Sequence, residues 1–280
     1  MSTEIGRLVI IGGAEDKEGD KQILARVIAL SGADRARIAV ITTASSITAE
    51  MEAIYTRAFL DLGAASIIPL HIDDRADANN PDHVEAISNA TGVFMTGGSQ
   101  ARLAHILGGS EVAKAMHRSR RDRGTCIAGT SAGASAISEH MVRDGDQDIL
   151  PRKDMTNLIP GLGLLKRVLI DQHFTQRQRL ARLVAAVAEN PFVLGIGIDE
   201  NTALVVDADT TLEVIGAGTV NIVDGRSMDS NITSIRPGTL LTLNNINLHI
   251  LAAGARFHVE SRTVRPSVPQ PVPVGSPFPG

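Results

Sequence analysis

"CIAGTSAGASAI", residues 126–137, decides the fold of this chain. It sets Ser131 between two glycine-containing steps, directly after an apolar β-rich run and directly before small helix-compatible residues. A strand that turns into a helix at one serine needs glycine on both sides, because the two elements approach too closely for side chains. Such a turn pushes the hydroxyl out at the carboxyl edge of a sheet. The backbone N–H of Ala132, at the helix start, then points to where an oxyanion would form. The blander reading is a serine in a Gly-rich connection, since G-x-S-x-G also arises by chance. The strand and helix flanks favour a nucleophile.

Outward from this stretch, short apolar runs alternate with helical patterns. "RLVII" (7–11), "RIAVITT" (37–43), "SIIPLHI" (66–72), "GVFMTGG" (92–98) and "TCIAGT" (125–130) read as buried strands. Between them, "DKQILARVIAL" places Ile23, Val27 and Leu30 on one stripe. "TAEMEAIYTRAFLDLG" begins with Thr48 as a cap and stops at Gly63, and "PDHVEAISNATG" and "EVAKAMHRSRRDRG" repeat the helical pattern. Strand, helix, strand at this spacing predicts an α/β fold with a mostly parallel sheet flanked by helices. From about residue 195 the texture becomes period-two runs joined by "DADT" and "GAGT", which predicts a C-terminal antiparallel β extension, read as part of the same sheet. Residues 1–265 are expected to form one catalytic domain. The tail "PSVPQPVPVGSPFPG" (266–280) has too many prolines for helix or ladder and is expected to be disordered.

Composition narrows the function. With 280 residues and 43% hydrophobic content the chain can bury a sizeable core. Aromatics are 2% of residues and the formal charge is -4, which argues against base-stacking platforms and against a basic nucleic-acid footprint. One cysteine, Cys126, excludes an internal disulfide and a thiolate zinc cluster, as expected for a reducing compartment. No apolar stretch approaches the ~20 residues of a membrane span. The expectation is a cytoplasmic protein with no nucleic-acid or membrane partner, no cofactor and no metal.

A serine nucleophile needs a base. His83, His105 and His117 fall on polar helical faces and His71 lies in the loop "HIDDR", whereas His173 ends the apolar run "LLKRVLIDQHF" (164–174). The carboxyl end of that strand is expected on the same edge of the sheet as Ser131, where ligands bind in open α/β folds. The third member is an acid that orients the imidazole. "VLGIGIDENTALVV" offers both Asp199 and Glu200 at a strand end, and position alone leaves the choice open. The order serine, histidine, acid differs from the serine, acid, histidine order of α/β-hydrolases.

Several stretches together, "IGGAEDK" (11–17), "VITTASS" (40–46), "TGGSQ" (96–100), "GTSAGA" (129–134), "DQHFTQRQRLARL" (171–183) and "GIGIDENTAL" (195–204), make the chain resemble the cyanophycinases. These belong to a serine peptidase family that also includes aspartyl dipeptidase, with a fold similar to class I glutamine amidotransferase domains. The resemblance runs from about Gly6 to about Phe257. It implies Ser131 as nucleophile, His173 as general base and Glu200, rather than Asp199, as the orienting acid. It also implies an oxyanion hole from the N–H groups of Gly98 and Ala132, and a homodimer. The implied substrate is cyanophycin, a polyaspartate backbone with arginine on each β-carboxyl, released as β-aspartyl-arginine dipeptides by exopeptidase action.

The residues around His173 suit an acidic backbone. In "TQRQRLARLVAAV" the stripe Leu180, Leu183, Val184 and Val187 is expected to be buried, leaving Arg179 and Arg182 on a flank away from it and Arg177 in the first turn. A solvated arginine face is the ordinary reading of such a helix. Starting beside His173, however, its arginines would converge where carboxylates bind. Gln100, Asp171 and Gln172 add polar partners for amide or guanidinium groups. Other readings fare worse. "IIGGAED" lacks the G-x-G-x-x-G spacing of a dinucleotide site. A cysteine-type amidotransferase is excluded by Ser131 at the elbow, with Cys126 a small core residue. An aspartyl dipeptidase for short soluble peptides is the enzymatic alternative, and an inactive binding protein on the same fold the other.

Overall fold

The computed structural model describes residues 4–145 and 148–265. In chain order it begins β1 (Leu8–Ile11), α1 (Gln22–Leu30), β2 (Arg37–Ile41), α2 (Thr48–Asp61), β3 (Ser66–Leu70), α3 (Pro81–Asn89), β4 (Gly92–Met95), α4 (Gln100–Leu107), α5 (Glu111–Arg123) and β5 (Cys126–Thr130). The five strands are parallel, in the order β1-β5-β4-β2-β3, as the alternation of apolar runs and helices requires. Their side chains alternate between two cores. Val9, Ile11, Ile38 and Val40 face α1 and α2, and Leu8, Ile10, Ala39 and Ile41 face the other layer. The helices begin where polar residues satisfy free N–H groups. Asn80, Ser99 and Ser110 accept from Asp82, Arg102 and Ala113, while Gly124 ends α5 in the left-handed region at φ 72°. At α2 the expectation fails, because Thr48 is the first helical residue rather than its cap and makes no capping bond; the cap position is Ile47.

The chain continues as α6 (Ala132–Ile137), β6 (Ser138–Gly145), β7 (Thr156–Pro160), β8 (Leu165–Gln172), α7 (Leu180–Glu189), β9 (Leu194–Ile198), β10 (Thr202–Val206), β11 (Thr211–Gly216) and β12 (Thr219–Asp224). It ends with β13 (Asp229–Ser230), β14 (Leu243–Asn244), β15 (Asn247–Ala252), β16 (Arg256–His258) and β17 (Thr263–Arg265). Here the one-sheet reading needs correction. β10, β11, β16 and β17 do extend the first sheet, antiparallel from β1, giving nine strands in the order β17-β16-β11-β10-β1-β5-β4-β2-β3. β8 and β9 do not. They are the parallel centre of a second, six-stranded sheet, β15-β12-β9-β8-β6-β7. An apolar strand fits either sheet equally well, and only its long-range partners choose between them.

The second sheet packs on the first through one continuous apolar cluster. Val168 and Ile170 of β8 and Ile196 and Ile198 of β9 share it with Ala134 and Ile137 of α6 and with Ile10 and Met95 of the first sheet. Each such fully buried aliphatic side chain contributes about 1.5–3 kcal/mol relative to exposure. Helix α7 covers the outer face, where Leu183 and Val187 meet Val142, Leu169 and Val223. Its stripe is rotated from the predicted one. Arg182 is buried, whereas Leu180, at the first turn, is 43% exposed and lines a cavity of about 600 Å³ with Ile149, Pro151, Val184 and Ile246. Among the described residues no helix is long and apolar enough to cross a membrane. The Pro-rich stretch 266–280, expected to be disordered, lies outside the described residues.

Candidate active site

β5 lies between β1 and β4 inside the nine-stranded sheet and hands directly to α6 at Ser131. The turn has the geometry that the flanking glycines predict. A Cβ on Gly129 would lie 2.4 Å from the carbonyl oxygen of Gly133, so strand and helix touch backbone to backbone. Ser131 itself has φ 53° and ψ −111°, a left-handed conformation that a side-chain-bearing residue adopts at a cost of order 1–3 kcal/mol. Its N–H donates to Ile11 O at 3.0 Å, and its carbonyl accepts from Ser135 N at 3.1 Å. The hydroxyl makes no capping bond within the helix.

Instead it meets His173. Ser131 Oγ lies 2.9 Å from His173 Nε2, and His173 Nδ1 lies 2.6 Å from Glu200 Oε1. The three groups reach one another from two sheets. Ser131 follows β5 of the first, whereas His173 and Glu200 follow the neighbouring parallel strands β8 and β9 of the second. The imidazole side chain is 12% exposed and the glutamate 37% exposed, so the base is sheltered and the acid borders solvent. His173 also has a positive φ, 49°, and its N–H donates to Gly12 O at 2.8 Å, which ties the second sheet's site residue to the first sheet's loop.

Asp199, the other acid left open by sequence position, turns away from the imidazole. Its Oδ1 accepts from Thr175 N at 3.0 Å and its Oδ2 from the N–H and hydroxyl of Thr219 at 3.0 and 2.8 Å. Burial pushes its carboxyl up, but these hydrogen bonds from Thr175 and Thr219 outweigh burial and hold it below the ordinary value. It clamps the turn that follows His173. Gln176, which pattern reading passes over, reaches the other acid, accepting from Glu200 N at 3.1 Å.

On the opposite side of Ser131, Gly97 and Gly98 follow β4. A Cβ on Gly97 would stand 3.3 Å from Ser131 Cβ, which places bare backbone against the hydroxyl, and Gly98 follows with φ 137°. Ala132 opens α6 and is fully buried, and the first N–H groups of a helix have no intrahelical acceptor. Gln100, the first residue of α4, donates from Nε2 to the carbonyls of Val142 and Arg143 at 2.9 and 3.1 Å.

The arginines do not stand as the sequence pattern places them. Residues 175–179 form turns rather than the start of α7, so the helical wheel begins at Leu180. Arg179 and Arg182 then reach the same buried group, Asp171, at the end of β8. Arg179 Nη1 donates to Asp171 Oδ1 at 3.0 Å and to Gln172 Oε1. Arg182 donates from Nε to Oδ2 at 2.6 Å and from Nη2 to Oδ1. Burial, opposed by Asp171 and reinforced by the like charges of Arg182 and Arg177, brings the Arg179 guanidinium down to about 10. A carboxylate at 1% exposure needs such partners, and it draws in the two arginines expected on the open flank. Arg177 alone of the three is exposed. Cys126 is 1% exposed, and burial pushes its thiol up to about 12, which leaves it a core residue without nucleophilic character at neutral pH.

A serine hydroxyl bonded to an imidazole that is itself bonded to a carboxylate is an arrangement that can activate the hydroxyl and hold the resulting imidazolium. A family model described as peptidase family S51 matches residues 8–214. A cyanophycinase of Nostoc sp. strain PCC 7120 is 38% identical over 262 residues, 93% of this chain and 88% of that protein. A cyanophycinase of Synechococcus elongatus is 37% identical over 261 residues, 93% of this chain and 81% of that protein. Among solved structures, a peptidase from an acI-B1 actinobacterium matches with a TM-score of 0.65 at 24% identity, covering 88% of this chain and 98% of that one, a likeness of fold.

Proposed function

Because the chain belongs to peptidase family S51, we propose that it is a serine peptidase that degrades cyanophycin, cutting the polyaspartate backbone to release β-aspartyl-arginine dipeptides. The observation that carries this reading is the relay from Ser131 Oγ through His173 to Glu200, at 2.9 and 2.6 Å. In it, Ser131 Oγ attacks the scissile carbonyl carbon while His173 Nε2 takes its proton. The N–H groups of Gly98 and Ala132 receive the oxyanion, and Glu200 holds Nδ1–H and stabilises the imidazolium. The tetrahedral intermediate collapses as His173 returns the proton to the leaving amine. Water, deprotonated by the same imidazole, then releases the acyl group and restores the serine.

Substrate selection is assigned to the rim of this site. Arg177, the one of the three arginines left exposed in the turn after His173, is assigned to bind a backbone carboxylate. Gln100 adds its amide oxygen, its Nε2 being held by the carbonyls of Val142 and Arg143, while Asp171 and Gln172 hold Arg179, and Asp171 holds Arg182. Residues 1–265 act as one catalytic domain, in a cytoplasmic homodimer that sedimentation would detect. The decisive experiment incubates the purified protein with insoluble cyanophycin and identifies soluble product by mass. Dipeptides of β-aspartyl-arginine are expected. Intact polymer beside cleaved short aspartyl peptides would favour a dipeptidase, and no cleavage of either would leave a binding protein.

Arg177→Ala separates binding from chemistry. A charge-assisted contact of about 1.5–3 kcal/mol is lost, so KM on the polymer should rise roughly ten- to a hundredfold. Turnover of a small activated ester, which reaches Ser131 without the rim, should change little. Equal loss on both substrates would place Arg177 in the chemistry or in the fold instead.

A further inference from the structure

The end of β1 and the loop after it bond to Ser131, to His173 and to the residue that follows Glu200. Ile11 O accepts from Ser131 N at 3.0 Å, Gly12 O from His173 N at 2.8 Å, and Gly13 O from Asn201 N, the residue after Glu200, at 2.9 Å. Gly13, at φ 103°, lies flat against the imidazole, where a Cβ would stand 2.3 Å from His173 Cε1. Asn201 closes the circuit by accepting from Asp16 N at 3.1 Å.

Between Gly13 and Asp16 the same loop sends Glu15 inward. Its side chain is 0% exposed, and both oxygens are engaged. Oε2 accepts from Thr130 Oγ1 at 2.6 Å. Oε1 accepts from Tyr55 Oη at 2.5 Å, with Lys17 Nζ 3.3 Å away. Tyr55, the chain's one tyrosine, is packed on Phe94 at 4.6 Å between centroids, and burial together with Glu15 pushes its phenol well above the ordinary value, so it remains a donor. A buried carboxylate is costly unless its lone pairs are filled, and a packed apolar core would serve stability as well. None of the hydrolytic steps uses Glu15. What distinguishes its position is Thr130, the residue immediately before the strained Ser131.

We propose that Glu15 is a positioning residue: through Thr130 it fixes the backbone of Ser131 in the conformation that brings Oγ to His173 Nε2. The role rests on Ser131 being the nucleophile. Pairing on one side with Tyr55 and Lys17 and on the other with Thr130, the carboxylate connects the α2 layer to the elbow, so the turn cannot relax without breaking a buried charged hydrogen bond.

The test is covalent labelling of Ser131 by a fluorophosphonate, followed as rate and final amplitude, beside kcat and KM on cyanophycin. Glu15→Gln keeps shape and removes charge, and Thr130→Val removes the donor alone. Both should label to full amplitude but roughly ten- to a hundredfold more slowly, with kcat lowered by a similar factor and KM nearly unchanged. Thr130→Ser, which restores the hydroxyl, should recover most of the rate. A purely structural role predicts the opposite split, with wild-type rate and reduced amplitude from misfolded molecules, and that result overturns the proposal. So does Thr130→Val labelling at the wild-type rate. If the wild-type protein does not label at Ser131, the nucleophile assignment falls and this role with it.

Discussion

Ser131→Ala is expected to lower kcat/KM on cyanophycin by roughly 10⁴-fold or more, the scale on which serine peptidases lose activity without their nucleophile. The size follows from the arrangement at the elbow. The hydroxyl that lies 2.9 Å from His173 Nε2 is the atom proposed to form the new bond. Cys126 is buried in β5 on the wrong side of the turn. The fold should survive, because the side chain removed makes no capping bond and the backbone bonds to Ile11 and from Ser135 remain. Ser131→Gly should be equally inactive yet more stable than Ser131→Ala by about 1 kcal/mol, since φ 53° is relaxed only for glycine. Denaturant titration of the two variants reads that difference. An alanine variant that keeps a tenth of wild-type activity would show that the nucleophile lies elsewhere.

The elbow was legible because the residues that form its turn are local. Gly129, Ser131 and Gly133 lie within five residues, and the strand and helix that they join are contiguous in sequence. His173 was legible for a related reason, as a polar residue ending an apolar run, whereas position alone left Asp199 and Glu200 open and only the family resemblance favoured Glu200. The sheet that carries them was not legible. Which ladder β8 and β9 join depends on β6, β7 and β12, and the runs "SEHMVRDG" and "TNLIP" are too polar to announce strands at all. Arg182 shows the limit of the helical wheel. A face is apolar only if what it packs against is apolar, and here the opposing surface presents Asp171. Glu15 shows the same limit for buried charge. The motif "IGGAEDK" is conspicuous in the sequence, but the partners that explain its glutamate are 40 and 115 residues away.

The two adjacent acids after β9 allow the sharpest comparison. Glu200→Gln is expected to reduce kcat roughly 10²–10³-fold. The amide no longer stabilises the imidazolium, and by donating rather than accepting at Nδ1 it can hold the wrong tautomer. The loss should be smaller than for a fully buried orienting acid, about 10⁴-fold in the best-studied case, because Glu200 is 37% exposed and solvent screens part of its charge. Asp199→Asn should behave differently, costing stability more than rate. Its carboxyl is held below the ordinary value by Thr175 and Thr219, so its contribution is present above the unfolded-state value and fades as pH falls through the folded one. The stability gap between Asp199→Asn and wild type should therefore be widest near neutrality and narrow in strong acid. Thermal unfolding across pH measures the gap, and kcat at neutral pH measures the ranking. A larger loss of kcat in Asp199→Asn than in Glu200→Gln would mean that the acid bonded to His173 Nδ1 is not the one that orients it in catalysis.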